Sequence, residues 1–289
     1  MSSSPGASGS SGPITVEVNQ SRDQYGKQAI LLQLTNTTES PVTVTGAQLR
    51  SALFEGVISW KPSEGSLELP PHQPKSLPTA LPPAVCQSSE AASPELNATV
   101  LYSAPNMEPA EEVTNATDPF GVLTRNSGEL CIATVAASVA SIALDPGLEV
   151  SADGGTAVVR LVITPTTPST RAAPAAPSTQ ATPGEDPHSL VIEAFEETTL
   201  LAQSPTAPWP QNITVGLTPQ VLPLTIRPAR CDPHAVAEDK VGTLLPLRVA
   251  VGDRKGLLKI AAPNDLRGKI YDFVTAACAP KSPDQTGQG

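Results

Sequence analysis

Aromatic side chains are scarce in this chain. Only 3% of its 289 residues are Phe, Trp or Tyr although 39% are hydrophobic, so Val, Leu, Ile and Ala supply most of the material for a core. No cluster of Lys and Arg accompanies the aromatic residues, which predicts that nucleic acid is not a partner. No run of about twenty apolar residues occurs, which predicts that this chain contains no transmembrane segment.

Groups that perform catalysis are also few. The chain has three histidines, His72, His188 and His234, and they lie far apart in the sequence. It lacks the Gly-x-Ser-x-Gly motif that exposes a nucleophilic serine, and it lacks a glycine-rich loop that opens a helix and cradles phosphate. The sequence therefore predicts a protein that is not an enzyme, with no catalytic residues, no metal ligands and no cofactor.

Proline, by contrast, is abundant, with 32 residues in the chain. Because proline interrupts helices, this frequency favours short strands joined by turns and predicts an all-β fold. The apolar stretch from Ile132 to Leu144 is accordingly interpreted as a strand and its connection. The net charge of −10 is expected to maintain solubility.

The two halves of the chain repeat the same landmarks in the same order. Each half has two strands around a glycine turn, a threonine-rich turn, a third strand, one tryptophan, a proline-punctuated run and a cysteine. A further strand, an Asp-x-x-Gly sequence and a second cysteine follow, and that cysteine lies ten positions after that glycine in both halves. The shared order predicts a duplication in which Trp60 lies over Trp209 and Asp118 lies over Asp265.

The four cysteines are expected to form disulfides. Four cysteines allow three pairings, and the repeat favours Cys86–Cys131 and Cys231–Cys278, with sequence separations of 45 and 47. Each bridge would stabilise the fold by about 4 kcal/mol in the loop-entropy model. The alternative is four buried free thiols in a cytosolic protein. Since disulfides persist mainly outside the reducing cytosol, the pairing and an exported location depend on each other.

The repeat also predicts the domain organisation. Residues 1–12 are rich in Ser and Gly and are predicted to form a flexible tether, followed by one β-sandwich domain over residues 13–135 and a second over residues 136–280. Residues 165–187, inside the second domain, are rich in Pro, Ala, Thr and Ser and are predicted to be disordered. The same is predicted for the tail, residues 281–289.

The strand pattern resembles a known module. The sequence Leu31–Thr38, followed by Pro41–Thr45, resembles the opening of bacterial immunoglobulin-like modules, in which two strands flank a polar hairpin loop. Over residues 13–280 the chain is similar to uncharacterised exported proteins of high-GC Gram-positive bacteria. The resemblance implies two tandem immunoglobulin-like β-sandwich domains, each with one internal disulfide, and it implies no activity.

One short motif combines a thiol and an imidazole, Cys231-Asp-Pro-His234. A zinc site needs about four ligands, and an oxidised Cys231 cannot bind a metal. The alternative interpretation is a turn in which Asp232 caps a short helix that begins at Pro233.

Two further sets of residues have both a functional and a structural interpretation. The acidic residues Glu193, Glu196 and Glu197 would suit calcium through paired carboxylates, or would simply form a solvated strand end. Trp60 and Trp209 would suit carbohydrate stacking, but core tryptophans near a disulfide are more typical of β-sandwiches.

These observations favour a non-catalytic exported or envelope-associated protein with a structural or interaction role. The expected partner is another protein or the cell wall, and the expected location is extracellular or in the cell envelope, with a lipid anchor upstream as one option. Two alternatives remain open: a protein that binds a small ligand or metal in a cleft between the domains, and a hydrolase whose site is assembled from distant residues.

Overall fold

The computed structural model describes residues 12–86, 96–105, 107–166 and 189–279. Most of the predicted tether, nearly all of the predicted insert at 165–187, and the tail at 281–289 therefore lie outside the described residues. The chain divides into two compact units, Met1–Leu130 and Cys131–Gly289. The boundary predicted between residues 135 and 136 falls inside a helix, Val122–Val139.

The first unit is built from eight described strands. They are β1 (Ile14–Asn19), β2 (Ala29–Asn36), β3 (Val42–Arg50), β4 (Val57–Trp60), β5 (Leu67–Leu69), β6 (Pro74–Ala80), β7 (Asn97–Ser103) and β8 (Ala110–Thr117). Their hydrogen-bonded order is β4-β3-β7-β8-β1-β2-β6, with β5 also beside β3. Neighbours are antiparallel except β1 and β8, which run parallel and pair at Val16 and Ala116.

Alternation of side chains creates the core of this unit. In β2, Ile30, Leu32 and Leu34 are fully buried, while the residues between them face outward. A strand whose apolar residues recur with period two buries one face only, which fixes its register against its neighbours.

A buried amide fixes the turn after β2. Asn36 is fully buried, and its amide nitrogen donates to the carbonyl oxygens of Ser40 at 2.8 Å and Leu69 at 3.1 Å. Its side-chain oxygen accepts hydrogen bonds from the main-chain nitrogen and the hydroxyl of Thr38, at 2.9 and 2.8 Å. The amide therefore avoids the cost of an unsatisfied buried polar group and ties the turn to β5.

The second unit has two sheets around one apolar core. The first contains β9 (Ala140–Leu144), β10 (Glu149–Val150), β11 (Ala157–Pro165), β13 (Leu201–Gln203) and β15 (Gln220–Pro228). The second contains β12 (Leu190–Phe195), β14 (Ile213–Thr214), β16 (Leu244–Val251) and β17 (Arg254–Ala261). Leu161, Ile163, Leu190, Leu224 and Leu247 are fully buried between them.

The pairing of strands recurs between the units. In the first, β2 lies between β1 and β6, while β3 pairs with β7 and β7 pairs with β8. In the second, β11 lies between β9 and β15, while β12 pairs with β16 and β16 pairs with β17. A helix follows the last strand of each unit. The units differ in that β1 also pairs with β8, which joins the eight strands of the first unit in one path, whereas the second unit has two separate sheets. The duplication therefore stays a prediction.

Three α-helices, α1 (Val122–Val139), α2 (Pro233–Ala237) and α3 (Asn264–Ala277), and a single 3₁₀ turn at Arg22–Gln24 complete the described structure. The chain is therefore mostly β but not all-β. The short α2 was expected, whereas α1 and α3 were not. The stretch from Ile132 to Leu144, interpreted as strand and connection, is helical as far as Val139, and only β9 is extended.

The aspartates of the two Asp-x-x-Gly landmarks lie near the starts of the two long helices. The carboxylate of Asp118 accepts hydrogen bonds from the main-chain nitrogens of Val122 at 2.7 Å and Leu123 at 2.9 Å, so it caps the first turn of α1. Asp265 instead lies within the first turn of α3. The two residues therefore stand at different points relative to their helices, although the sequence aligned them.

Candidate functional site

The cysteines are oxidised. Cys231 and Cys278 form a disulfide with Cα atoms 5.2 Å apart, and Cys86 and Cys131 are disulfide-bonded as well. Cys231 lies shortly after the end of β15 and Cys278 follows the last residue of α3, so the bridge ties the end of this helix to the sheet. No cysteine in the described part of the chain is free.

The expected turn after Cys231 is present. Asp232 accepts a hydrogen bond from the main-chain nitrogen of His234 at 2.9 Å, at the start of α2. Because Cys231 is in a disulfide, its sulfur is not available as a metal ligand. Among the described residues, no group of three or more His, Cys, Asp and Glu side chains is placed to hold a metal ion.

The acidic residues near the end of β12 each have a separate partner. Glu193 pairs with Lys255 at 2.6 Å, and Glu196 pairs with Arg248 at 2.5 Å. Glu197 accepts a hydrogen bond from the main-chain nitrogen of Gln203. The carboxylates are thus directed to different partners, and exposed pairs of this kind contribute at most about 1 kcal/mol each.

Of the two tryptophans, Trp209 belongs to the core of the second unit. Its side chain is 5% exposed, and its ring meets Phe195 edge-on with centroids 6.2 Å apart. The indole nitrogen donates to the carbonyl oxygen of Thr225 at 2.8 Å. Trp60 ends β4 and is only partly buried against the core of the first unit.

A polar cluster that sequence reasoning missed surrounds Asp239. Its carboxylate accepts hydrogen bonds from the hydroxyl of Thr199 at 2.5 Å, the hydroxyl of Tyr271 at 2.9 Å and the main-chain nitrogen of Gly242 at 2.8 Å. The cluster joins the loop before β16 to α3 and to the turn before β13. Asp239-x-x-Gly242 has the same spacing as the two landmark motifs, which is the signal that would have found it.

Position 242 in this cluster has no room for a side chain, so it needs glycine. A Cβ atom at position 242 would lie 2.3 Å from the Cβ of Leu200, which is buried. Beside Gly242 and Thr243 lies a small cavity of about 10 Å³, lined otherwise by aliphatic side chains, including Leu224 and Ile270. That volume holds about one water molecule at most, and its apolar lining offers too few partners to bind one.

Burial and the neighbouring carboxylate of Asp239 both affect the pKa of the Tyr271 phenol. Partial burial raises the pKa of Tyr271, the hydrogen bond to Asp239 and the charge of Asp239 raise it further, and Arg267 acts in the opposite direction. Arg267 lies over the Tyr271 ring, 6.0 Å from its centroid. The folded protein therefore keeps this phenol protonated at pH values above the ordinary tyrosine pKa of 10.0.

Replacing Tyr271 with phenylalanine is expected to lower the free energy of unfolding by about 1–2 kcal/mol at pH 8, because one hydrogen bond to a charged group is lost. A raised pKa in the folded state contributes stability below the unfolded value of about 10 and loses it as pH rises through the folded value. The difference between wild type and Tyr271→Phe should therefore shrink above pH 10.

Urea unfolding at several pH values measures this difference. Thr199→Val removes another hydrogen bond to the same carboxylate without removing a titratable group, so its cost should stay constant between pH 8 and pH 10.5. A Tyr271→Phe cost that grows with pH would show that the phenolate is the favoured form in the folded protein.

No protein-family model matches the chain, and no curated protein matches it. Among solved structures, a chain of the CsuC–CsuE chaperone–tip adhesion subunit complex from Acinetobacter baumannii has a TM-score of 0.21 at 11% identity, covering 86% of this chain and 95% of that one. The YadV chaperone has a TM-score of 0.21 at 12% identity, covering 86% and 100%. Red sea bream transglutaminase has a TM-score of 0.21 at 9% identity, covering 87% and 31%. Likenesses at this level carry no argument about function.

Proposed function

We propose that the chain is an exported, non-catalytic protein whose two tandem immunoglobulin-like β-sandwich modules serve a structural or interaction role in the cell envelope. The observation that carries this proposal is the oxidation of the cysteines. Disulfides form and persist mainly in secreted and envelope proteins, where no glutathione pool reduces them. No helix in the described residues has both the length and the apolarity needed to cross a membrane.

The use of the polar side chains supports a role without catalysis. A catalytic group must be free to contact its substrate, usually beside a base or nucleophile. The carboxylate of Asp239 instead accepts three hydrogen bonds from its own chain, and Glu193 and Glu196 each hold a basic side chain. Cys231 is held in a disulfide. These groups are committed to structure.

The exposed apolar side chains support an interaction role. Phe120 is 68% exposed in the turn that precedes α1, and Leu217 is 96% exposed in the loop before β15. Large apolar side chains that face water gain free energy when a partner covers them, at about 25 cal/mol per Å².

A sedimentation assay combined with an activity panel tests the proposed function. The disulfide-intact protein is expected to pellet with isolated cell envelopes and to show no turnover of ester, glycoside or peptide substrates. Its melting temperature should be unchanged by a metal chelator. Turnover that is abolished by His234→Ala or Asp239→Asn, or a melting temperature that falls with chelation, would contradict the proposal and assign a site to that part of the second unit.

A further inference from the structure

The disulfide between Cys231 and Cys278 lies at the surface of the second unit. Cys231 is exposed in the loop between β15 and α2, and Cys278 is half-buried directly after the last residue of α3. The other two disulfide-bonded cysteines, Cys86 and Cys131, are both half-buried. Among the four cysteines, all of which lie in the described ranges, only Cys231 is therefore exposed. A disulfide is opened by a thiolate that reaches one of its sulfur atoms, so access decides which bridge reacts first.

The packing of α3 does not depend on this bridge alone. Leu266, Ile270 and Val274 are buried in the core of the second unit. The hydroxyl of Tyr271 also ties the helix to the loop before β16. The residues that follow in the chain, 275–278, are exposed or half-buried. Opening the bridge therefore releases the last turn of α3, whereas the rest of the helix stays packed.

The sulfur released from Cys278 keeps a partner within the fold. Its Sγ atom lies 3.6 Å from the carbonyl oxygen of Arg230, the residue that precedes Cys231. A thiol is a weak hydrogen-bond donor, and this oxygen is placed to accept from it. The thiol of Cys278 therefore remains close to Cys231 after the bridge opens, and the bridge forms again when the external thiol is removed.

We propose that Cys231 is a site of thiol–disulfide exchange, at which a small external thiol opens the bridge to Cys278 and leaves the other disulfide intact. The incoming thiolate forms a bond to the Sγ atom of Cys231, and the bond between the two cysteine sulfurs breaks. The electron pair of that bond remains on the Cys278 sulfur, which takes a proton from the solvent. One disulfide and one thiol give one disulfide and one thiol, so no oxidant is consumed. The bridge thus acts as a redox-sensitive latch on the last turn of α3.

Exchange with reduced glutathione at pH 8 tests the proposal on the folded full chain. Samples are quenched with acid at intervals, alkylated and analysed by peptide mapping. The bridge between Cys231 and Cys278 is expected to open at least about tenfold faster than the disulfide of Cys86 and Cys131, because only Cys231 is exposed. The first product should carry glutathione on Cys231 and the alkylating reagent on Cys278. Far-UV circular dichroism should keep nearly all of its helical signal.

The control is the same exchange on the chain unfolded in guanidinium. There all four cysteines are equally accessible, so the two disulfides should open at similar rates. Similar rates in the folded chain, or earlier opening at Cys86 and Cys131, would overturn the proposal. Glutathione found on Cys278 instead of Cys231 would also overturn it, and so would loss of the helical signal on opening. The sedimentation assay tests the location in the cell envelope separately, so the two proposals fail independently.

Discussion

Replacing Cys231 and Cys278 together with alanine is expected to lower the free energy of unfolding of the second unit by about 4 kcal/mol. The bridge spans 47 residues, and a cross-link over a loop of that length removes much conformational entropy from the unfolded chain. It also holds the end of α3, whose residues Leu266, Ile270 and Phe273 are buried in the core. Guanidinium unfolding followed by far-UV circular dichroism measures the loss.

The control for this experiment is an exposed double substitution that leaves the bridge intact, Lys255→Ala with Arg248→Ala. It removes two surface ion pairs and should cost about 2 kcal/mol or less. A loss below 1 kcal/mol for the cysteine variant would mean that the bridge adds little to the packing of α3.

Trp209→Ala is expected to cost about 3–5 kcal/mol, because it empties a large buried site and removes the hydrogen bond to Thr225. Trp209→Phe should cost less, since a ring remains against Phe195. The matched control is Trp60→Ala, which removes the same side chain from a partly buried position and should cost less than Trp209→Ala. Calorimetry of the three variants gives the comparison.

A larger loss of stability for Trp60→Ala than for Trp209→Ala would contradict the placement of Trp209 in the core and of Trp60 at a partly buried position. A loss of less than about 1 kcal/mol in the free energy of unfolding for Trp209→Ala would also contradict the placement of Trp209 in the core, because removing a fully packed indole leaves a large cavity.

The strands were predictable because their signal is local. Residues such as those of β2 and β11 alternate between apolar and polar or partly exposed positions, and turns rich in Gly, Thr and Pro separate them. The repeat added long-range information, since landmarks in the same order favoured the pairing of Cys231 with Cys278, which the structure shows. Pairing across a sheet could not be predicted from either signal, because it depends on contacts between distant strands.

The sequence did not predict helix α1, because polar residues interrupt the apolar pattern of its buried residues. Its first turns bury Asn126 and Ser127, which are 6% exposed, beside Val122 and Leu123, so the apolar period is broken. The structure compensates through Gln20, whose amide exchanges two hydrogen bonds with Asn126 at 3.0 and 3.1 Å. A partner more than one hundred residues away leaves no local signal.

Helix α3 did have a readable pattern. Leu266, Ile270, Phe273 and Val274 recur at the spacing of one helical face, and all four are buried. The residues were interpreted through the Asp-x-x-Gly landmark of the repeat instead, whose glycine, Gly268, lies inside the helix. The same landmark would have located Asp239, but its partners Thr199 and Tyr271 are brought to it only by the fold.

The most direct test of the account is a count of free thiols on the chain isolated from its own cells without reductant. The protein is trapped with an alkylating reagent under denaturing conditions and its intact mass is measured, followed by peptide mapping. An exported protein with oxidised cysteines predicts no alkylated cysteine and a peptide that joins Cys231 to Cys278. Four alkylated cysteines would contradict both the disulfides and the proposed location in the cell envelope.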